Sequence, residues 1–206
     1  MNLASSQLLA REIAVSRGGR SIFADISFRL GNGELLAVTG ANGAGKSTLL
    51  RAVAGLLPLA AGSVRFETAD AEPKPVSESA HYFGHLDGLK PSLTVHDNLA
   101  LWARVLGVPG VSVIEALEEV ELDHLDDMPA GYLSAGQRRR ASLARLLVVR
   151  RPLWLLDEPT SALDARSEAV FGALLAAHLG AGGMAIAATH RPLPVAAAAT
   201  LRIGAA

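Results

Sequence analysis

A glycine-rich segment between an apolar run and a helical pattern is the part of this chain best suited to chemistry. Its nucleotide-binding candidates are Gly40, Ala41, Asn42, Gly43, Ala44, Gly45, Lys46, Ser47 and the following Thr48. The spacing G-x-x-x-x-G-K-[ST] predicts a loop whose backbone N–H groups surround phosphate oxygens, because glycine permits turns that a Cβ would hinder. We expect Lys46 to reach the β- and γ-phosphates of a nucleoside triphosphate, and Ser47 to offer its hydroxyl to Mg²⁺. A plain turn is the alternative, and the strand–helix junction favours phosphate binding.

Two adjacent carboxylates, Asp157 and Glu158, follow the apolar strand pattern of residues 153–156. At the carboxyl end of a strand, Asp157 is expected to hold Mg²⁺ through water beside the glycine-rich loop. Glu158 would then face the γ-phosphate and could polarise the attacking water as a general base. Such a pair also ends strands in proteins without any chemistry, but the phosphate loop upstream favours the catalytic interpretation.

The segment Leu133-Ser-Ala-Gly-Gln137 precedes a helical pattern over residues 138–149. Ser134 alone would suit a helix N-cap. The order of the phosphate loop, this segment and the Asp157–Glu158 pair nevertheless resembles the ATP-binding cassette (ABC) family, over about residues 6–203. Ala135 stands where the family has its first signature glycine. The resemblance implies that Ser134, the Gly136 backbone and the helix N-terminus bind the γ-phosphate of ATP held by a second copy. It also implies that Gln137 is a nucleotide-binding residue.

Two later segments extend the resemblance. Ser161-Ala-Leu-Asp164 is similar to the D-loop that lies across the dimer interface in this family. His190 follows the strand pattern of residues 184–188 and matches the switch histidine that contacts the γ-phosphate. A lone histidine at a strand end would otherwise be interpreted as structural. The resemblance therefore implies that His190 is the second catalytic residue, beside Glu158.

Two positions depart from the family pattern. Arg17 stands where many members have an aromatic residue that stacks on adenine, so only modest discrimination between ATP and GTP is expected, through guanidinium stacking. His85 stands where we expect the Q-loop glutamine, and an imidazole nitrogen could take over its contact to nucleotide and Mg²⁺. An ordinary surface-loop histidine is the alternative.

The elements around these motifs alternate between strand and helix patterns, which indicates a parallel α/β architecture. Strands are predicted at 8–13, 22–28, 34–38, 153–156 and 184–188, helices at 46–57 and 166–179, a mainly helical stretch at 95–149, and a surface loop at 68–79. The Ala196–Ala199 tract is assigned to a helix. The resemblance implies an α/β fold of the P-loop NTPase, ABC ATPase type, with a mixed β core and an inserted α-helical signature subdomain. It also implies that residues 1–206 form one ATP-binding domain, with a RecA-like core at about 1–85 and 151–206 and a helical subdomain at about 86–150.

Composition excludes several classes of protein. The 19 basic and 20 acidic residues nearly cancel, which argues against nucleic-acid binding. Cysteine is absent, which excludes disulfides and thiolate metal sites. We find no signal-peptide pattern and no apolar run of about 20 residues, so the chain is expected to be soluble and cytoplasmic.

The triplet Arg138–Arg140 is interpreted as a solvated helix face.

One phrase is the most discriminating in the chain: residues 82–90, Tyr-Phe-Gly-His-Leu-Asp-Gly-Leu-Lys, followed by Leu93-Thr-Val-His-Asp-Asn-Leu99. It resembles the ATPases of c-type cytochrome maturation. That resemblance implies an ATP-hydrolysing, Mg²⁺-dependent subunit of a haem exporter, or one that releases haem intermediates. Its partners would be a membrane-embedded permease of the CcmB type and a second copy of itself, at the cytoplasmic face of the inner membrane. Since the chain has no Cys-x-x-Cys-His, haem is expected to be handled by partners.

Two alternatives remain at this point. The chain could be the ATPase of an ABC transporter for another substrate, such as a drug, lipid or metal. It could also be a non-transport ABC protein that acts on ribosomes or DNA. Such proteins usually carry two cassettes or a long coiled coil, and neither pattern occurs here.

Overall fold

The computed structural model describes residues 6–69, 71–84, 86–107, 109–161 and 163–204. The strands are β1 (Ser6–Arg17), β2 (Arg20–Gly31), β3 (Leu35–Thr39), β4 (Ala61–Thr68), β5 (Ala71–Lys74), β6 (Ala80–Phe83), β7 (Leu153–Asp157), β8 (Met184–Ala188) and β9 (Ala199–Arg202). The helices are α1 (Lys46–Val53), α2 (Val76–Ser79), α3 (Val95–Leu106), α4 (Val113–Glu119), α5 (Ala135–Val148) and α6 (Ala165–Gly180), with short 3₁₀ turns at Asp123–Leu125 and Ala130–Tyr132. No helix within this described part is long and apolar enough to cross a membrane.

The chain divides into two compact units, the first made of residues 1–85, 152–159 and 175–206. This unit contains two sheets, an antiparallel one in the order β2-β1-β4-β5 and a parallel one in the order β6-β7-β8-β3-β9. The central strands β7 and β8 are buried along their whole length, as apolar strands covered on both faces must be. The carboxyl ends of β3, β7 and β8 therefore meet at one edge of the parallel sheet, where α1 begins.

The second unit comprises residues 86–151 and 160–174. Helix α5 packs against α3 and α4. Each of these three helices begins at a hydroxyl N-cap, Thr94, Ser112 or Ser134, whose side chain accepts a hydrogen bond from a backbone N–H in the first turn. Side-chain caps thus define where the helices of this unit start, including the one that carries the signature segment.

Three of the secondary-structure predictions made from the sequence are wrong. Helix α1 ends at Val53 and not at residue 57, because Gly55 adopts a left-handed φ of 73° that terminates the helix. The predicted loop at 68–79 contains β5 and α2. The Ala196–Ala199 tract is not helical: it leads into β9, which pairs in parallel with β3. Alanine is the best helix former, but intrinsic propensity is a weak preference, and pairing with the sheet edge at β3 overrides it here.

Candidate nucleotide site

The phosphate loop runs from the end of β3 into α1, and its glycines adopt conformations that other residues avoid. Gly40 has a φ of 148°, and a Cβ added there would lie 2.2 Å from the carbonyl oxygen of Ile203. Gly45, the N-cap of α1, has a φ of 103°, and its Cβ would lie 2.8 Å from Ile22 Cγ2. The loop can therefore adopt this tight shape only with glycine at these two positions.

Lys46 is almost completely buried at the start of α1, with 6% of its surface exposed. Its ammonium group donates to the carbonyl oxygens of Gly40 at 3.0 Å and Ala41 at 3.2 Å. It also lies 4.0 Å from Glu158 Oε1. The positive charge is thus held against the loop by the loop's own backbone, next to a carboxylate at the end of β7.

Asp157 is 1% exposed and both of its carboxylate oxygens accept hydrogen bonds. The Ser47 hydroxyl donates to Oδ1 at 2.8 Å, and the Tyr82 hydroxyl donates to Oδ2 at 2.8 Å. Hydroxyl and carboxylate oxygens are the ligands that Mg²⁺ prefers, and Mg²⁺ commonly takes its other ligands from water and substrate phosphates. Within the described residues no group of three or more acidic, histidine or cysteine side chains could hold a metal ion. Ser47 and Asp157 thus place a hydroxyl and a carboxylate oxygen, both suited to a Mg²⁺ ion, side by side at the phosphate loop.

Glu158 follows β7 in a left-handed backbone conformation, with a φ of 50°. A non-glycine residue in this region costs about 1–3 kcal/mol and often marks a functional site. Its backbone N–H donates to the carbonyl of Ala188 at 2.9 Å, which anchors it to the end of β8. Its side chain is only 12% exposed, and Oε2 lies 2.8 Å from Nδ1 of His190. The structure thus brings the two predicted catalytic side chains together in the first unit.

Tyr82 and Arg51 belong to this network although neither was singled out from the sequence. The Tyr82 hydroxyl lies between Asp157, to which it donates, and Arg51, whose Nε donates to it at 3.3 Å. Burial raises the pKa of Tyr82 to about 12, with the Arg51 hydrogen bond acting in the opposite direction. The sequence offered only a tyrosine within residues 82–90, and its position beside Asp157 is set by the pairing of β6 with β7.

The signature residues lie in the second unit, at the N-terminus of α5. The Ser134 hydroxyl accepts from the Gln137 N–H at 3.2 Å, and Gln137 Oε1 accepts from the Ser134 N–H at 2.8 Å, which makes a capping box. A Cβ on Gly136 would lie 3.4 Å from Asp164 Oδ2. Asp164 Oδ1 in turn accepts from the Ser167 N–H at 2.8 Å, which lowers the pKa of that carboxyl. The predicted signature and D-loop segments are therefore in contact within one chain.

The interpretation of Arg138–Arg140 as a solvated face is wrong for two of the three residues. Arg139 and Arg140 are buried. Arg139 pairs with Asp87 at 3.5 Å, and Arg140 donates to the Val120 carbonyl at 3.1 Å. A guanidinium can be buried when carboxylate and carbonyl oxygens receive its N–H groups, and helical periodicity does not predict such partners.

The two positions that depart from the family pattern are Arg17 and His85. Arg17 ends β1 beside the Gly18–Gly19 turn, where it is exposed. His85, the candidate for the Q-loop position, lies outside the described residues. Its proposed contacts to nucleotide and Mg²⁺ remain a prediction.

Comparison with known proteins identifies the family of this chain. The family model described as ABC transporter matches residues 23–161. The chain is 55% identical to the cytochrome c biogenesis ATP-binding export protein CcmA of Rhodopseudomonas palustris (strain BisB5), over 97% of this chain and 98% of that protein. It is 50% identical to the protein of the same name in Chelativorans sp. (strain BNC1), again over 97% and 98% of the two chains.

Solved structures support the fold. A putative ABC transporter ATP-binding protein from Pyrococcus furiosus superposes with a TM-score of 0.81 at 24% identity, over 96% of this chain and 97% of that one. The cbiO1 protein of Clostridium perfringens, described as part of the ABC transporter complex cbiONQ, gives 0.73 at 28% identity, over 89% and 78%. The predicted P-loop ABC ATPase fold is confirmed. The chain belongs to the ABC transporter family and, within it, to the group of CcmA ATP-binding proteins represented by its relatives at 50–55% identity.

Proposed function

We propose that this chain is the ATP-hydrolysing subunit of a membrane export complex that acts in c-type cytochrome biogenesis. Family membership and nearly full-length relatives named as cytochrome c biogenesis ATP-binding export proteins support the proposal. The observation that carries the catalytic part is the cluster at the sheet edge, where Lys46, Asp157, Glu158 and His190 lie within direct contact of one another or of the phosphate loop.

Nucleotide binding is assigned to the loop from Gly40 to Thr48. Its backbone N–H groups and the N-terminus of α1 would surround the phosphates, and the Lys46 ammonium would exchange its carbonyl contacts for phosphate oxygens. Ser47 and Asp157 would hold Mg²⁺, which would neutralise charge on the phosphates. The exposed Arg17 offers only a guanidinium for stacking on the base, so modest selectivity for ATP over GTP remains our prediction.

Hydrolysis is assigned to Glu158 with His190. A water oxygen attacks the γ-phosphorus, one water proton passes to the Glu158 carboxylate, and the bond to the β-phosphate oxygen breaks to give ADP and phosphate. The His190 ring, 2.8 Å from Oε2, keeps the carboxylate in one orientation. The strained backbone at Glu158 and its anchor to β8 limit how far that carboxylate can move.

A second copy and a permease are the proposed partners. Ser134, Gly136 and Gln137 would contact the γ-phosphate of ATP bound to the second copy. Members of this family work with membrane permeases, and a CcmB-type permease at the cytoplasmic face of the inner membrane is the partner we propose. Haem, or a haem-carrying intermediate, would be handled by partner proteins and not by this chain.

The proposal is tested with Glu158→Gln, which removes the general base but keeps the size of the side chain. Purified Glu158→Gln is expected to bind ATP within about threefold of the wild type, to lose at least about 99% of ATPase turnover, and to form an ATP-dependent dimer on size-exclusion chromatography. Glu119→Gln, the same change on the exposed end of α4, should behave like the wild type. An active, monomeric Glu158→Gln protein would contradict the mechanism.

The same variants test the proposed role in c-type cytochrome biogenesis separately from ATP hydrolysis. In a strain that lacks the gene, the wild type and Glu119→Gln should restore c-type cytochrome absorption, and Glu158→Gln should not. If the deletion strain keeps normal c-type cytochromes while the purified protein hydrolyses ATP, the substrate of the complex belongs to another pathway.

A further inference from the structure

The side chain of Tyr82 connects three elements of the first unit at the edge of the parallel sheet. Its ring is half-buried against the core below α1, and its hydroxyl contacts Asp157 of β7 and Arg51 of α1. It is the one phenol among the described residues that lies in this network, since the only other tyrosine of the chain, Tyr132, is 80% exposed. Tyr82 is therefore the tyrosine whose hydroxyl can influence the Asp157 carboxylate.

Strand register explains how a residue 75 positions away reaches the carboxylate. β6 and β7 are parallel, with Tyr82 opposite Leu155 and Phe83 opposite Leu156. β6 thus ends one residue short of Asp157. Because a strand advances about 3.3 Å per residue, Asp157 lies about 7 Å further along the sheet than the Tyr82 backbone. A long ring that leans along the strand places its hydroxyl beside the carboxylate, which shorter polar side chains at this position would not do.

The direction of the hydrogen bonds follows from the groups involved. An arginine Nε can only donate, so the Tyr82 oxygen accepts from Arg51 and its single proton is directed to Asp157 Oδ2 at 2.8 Å. Ser47 donates to the other oxygen, Oδ1, also at 2.8 Å. The carboxylate is therefore held at both oxygens, and the chain of donors from Arg51 through Tyr82 strengthens the last bond.

We propose that Tyr82 is a positioning residue for Mg²⁺ binding, which fixes the rotamer of Asp157 so that the carboxylate and the Ser47 hydroxyl face the same cation. The inference rests on the proposed function of Asp157 and Ser47. Partners of a metal-binding carboxylate commonly change metal affinity by about 10- to 100-fold when they are removed. Arg51 acts one step further out, through the Tyr82 hydroxyl. A purely structural tyrosine would affect stability and leave the response to Mg²⁺ unchanged.

The test compares wild type, Tyr82→Phe and Tyr132→Phe in calorimetric titrations with ADP, which is not hydrolysed, first in EDTA and then at increasing MgCl₂. Phenylalanine keeps the ring and removes only the hydroxyl. Tyr82→Phe should bind ADP in EDTA within about twofold of the wild type but need about tenfold more Mg²⁺ for the half-maximal gain in ADP affinity. Tyr132→Phe removes an exposed hydroxyl and should leave both values unchanged. The Mg²⁺ dependence of ATP turnover should shift in parallel.

Arg51→Gln gives a second measurement that does not depend on the folding of Tyr82→Phe. It should shift the Mg²⁺ midpoint in the same direction by a smaller factor, and should add nothing in the Tyr82→Phe background, because its effect passes through the phenol. A Mg²⁺ midpoint unchanged within twofold in both single variants overturns the inference and leaves the proposed function intact. Wild-type protein whose ADP affinity does not respond to Mg²⁺ overturns both.

Discussion

Glu158 combines a catalytic assignment with an unfavourable backbone conformation. Its φ of 50° lies in the region that favours glycine, yet it carries a side chain that contacts both Lys46 and His190. Neighbouring structure must therefore impose the conformation, and the hydrogen bond from its N–H to the end of β8 is one such restraint. Strain of this kind trades stability for a fixed position of the reacting group.

This strain can be measured by comparing Glu158→Gly with Glu158→Ala. Both variants lose the carboxylate and both should lose turnover, but glycine relieves the left-handed conformation. We expect the glycine variant to be more stable than the alanine variant by about 1 kcal/mol in urea unfolding. At Ala169, an exposed position within α6, the order should reverse, and Ala169→Gly should cost about 1 kcal/mol. Equal stabilities of the two Glu158 variants would show that the backbone there is not strained.

At the scale of elements, the end of α6 is attached to the parallel sheet by a histidine. The His178 ring stacks on Trp154 of β7, with ring centroids 4.0 Å apart and an angle of 9° between the planes. Its Nε2 lies 3.1 Å from the Met184 carbonyl oxygen of β8. Burial lowers the pKa of His178 from its ordinary value of 6.5 to about 4, so the ring is neutral in the folded protein at pH 7.

The lowered pKa predicts a pH window for stability. Well above pH 6.5 the ring is neutral in both the folded and the unfolded chain. As the pH falls from about 6.5 to about 4, the unfolded chain binds a proton that the folded chain does not, so the free energy of unfolding should decrease by about 1 kcal/mol per pH unit. His178→Phe keeps an aromatic ring on Trp154 and should show a smaller slope across this window. Leu86→Ala, which removes an exposed side chain without a titratable group, should keep the wild-type slope. Identical slopes in all three proteins, from denaturation curves at four pH values, would contradict the assignment.

At the scale of the whole molecule, the proposed phosphate site and the proposed signature residues belong to different compact units. The phosphate loop, Asp157, Glu158 and His190 lie in the first, and Ser134 and Gly136 lie in the second. Within each unit the assigned groups are already held by hydrogen bonds. Nucleotide binding should therefore stabilise the folded chain by mass action and does not require the first unit to fold around the ligand.

A thermal melt tests this expectation. At a Mg²⁺–ADP concentration of about 100 times its Kd, the folded state gains about 2.7 kcal/mol. For a chain of this length that corresponds to an increase in Tm of about 5–10 °C. Lys46→Ala should abolish most of the increase, because it removes the buried cation at the loop. Lys90→Ala, at an exposed lysine of the second unit, should retain it. An increase that survives in Lys46→Ala would place the nucleotide elsewhere.

The spacing of residues close together in the sequence was sufficient to predict several motifs and elements of this protein. The phosphate loop, the Asp157–Glu158 pair and the Ser134 cap each depend on residues within about one turn or strand of one another, so their geometry is encoded where they stand. The same holds for β3, β7 and β8, which are short continuous apolar runs, and for α6, which was predicted within one residue at each end. The fold class and the family follow from the order of these segments along the chain.

Only the tertiary structure shows the contacts between residues that are distant in the sequence. Tyr82 meets Asp157 only through the parallel register of β6 and β7, and His190 meets Glu158 only because β7 and β8 are neighbours. Two of the failed predictions have this cause, since β9 forms by pairing with β3 and Arg139 is buried because Asp87 receives it, whereas the end of α1 is set locally by Gly55. Propensity and periodicity describe one segment at a time, whereas a free sheet edge or a buried counter-charge exists only once two segments have packed together.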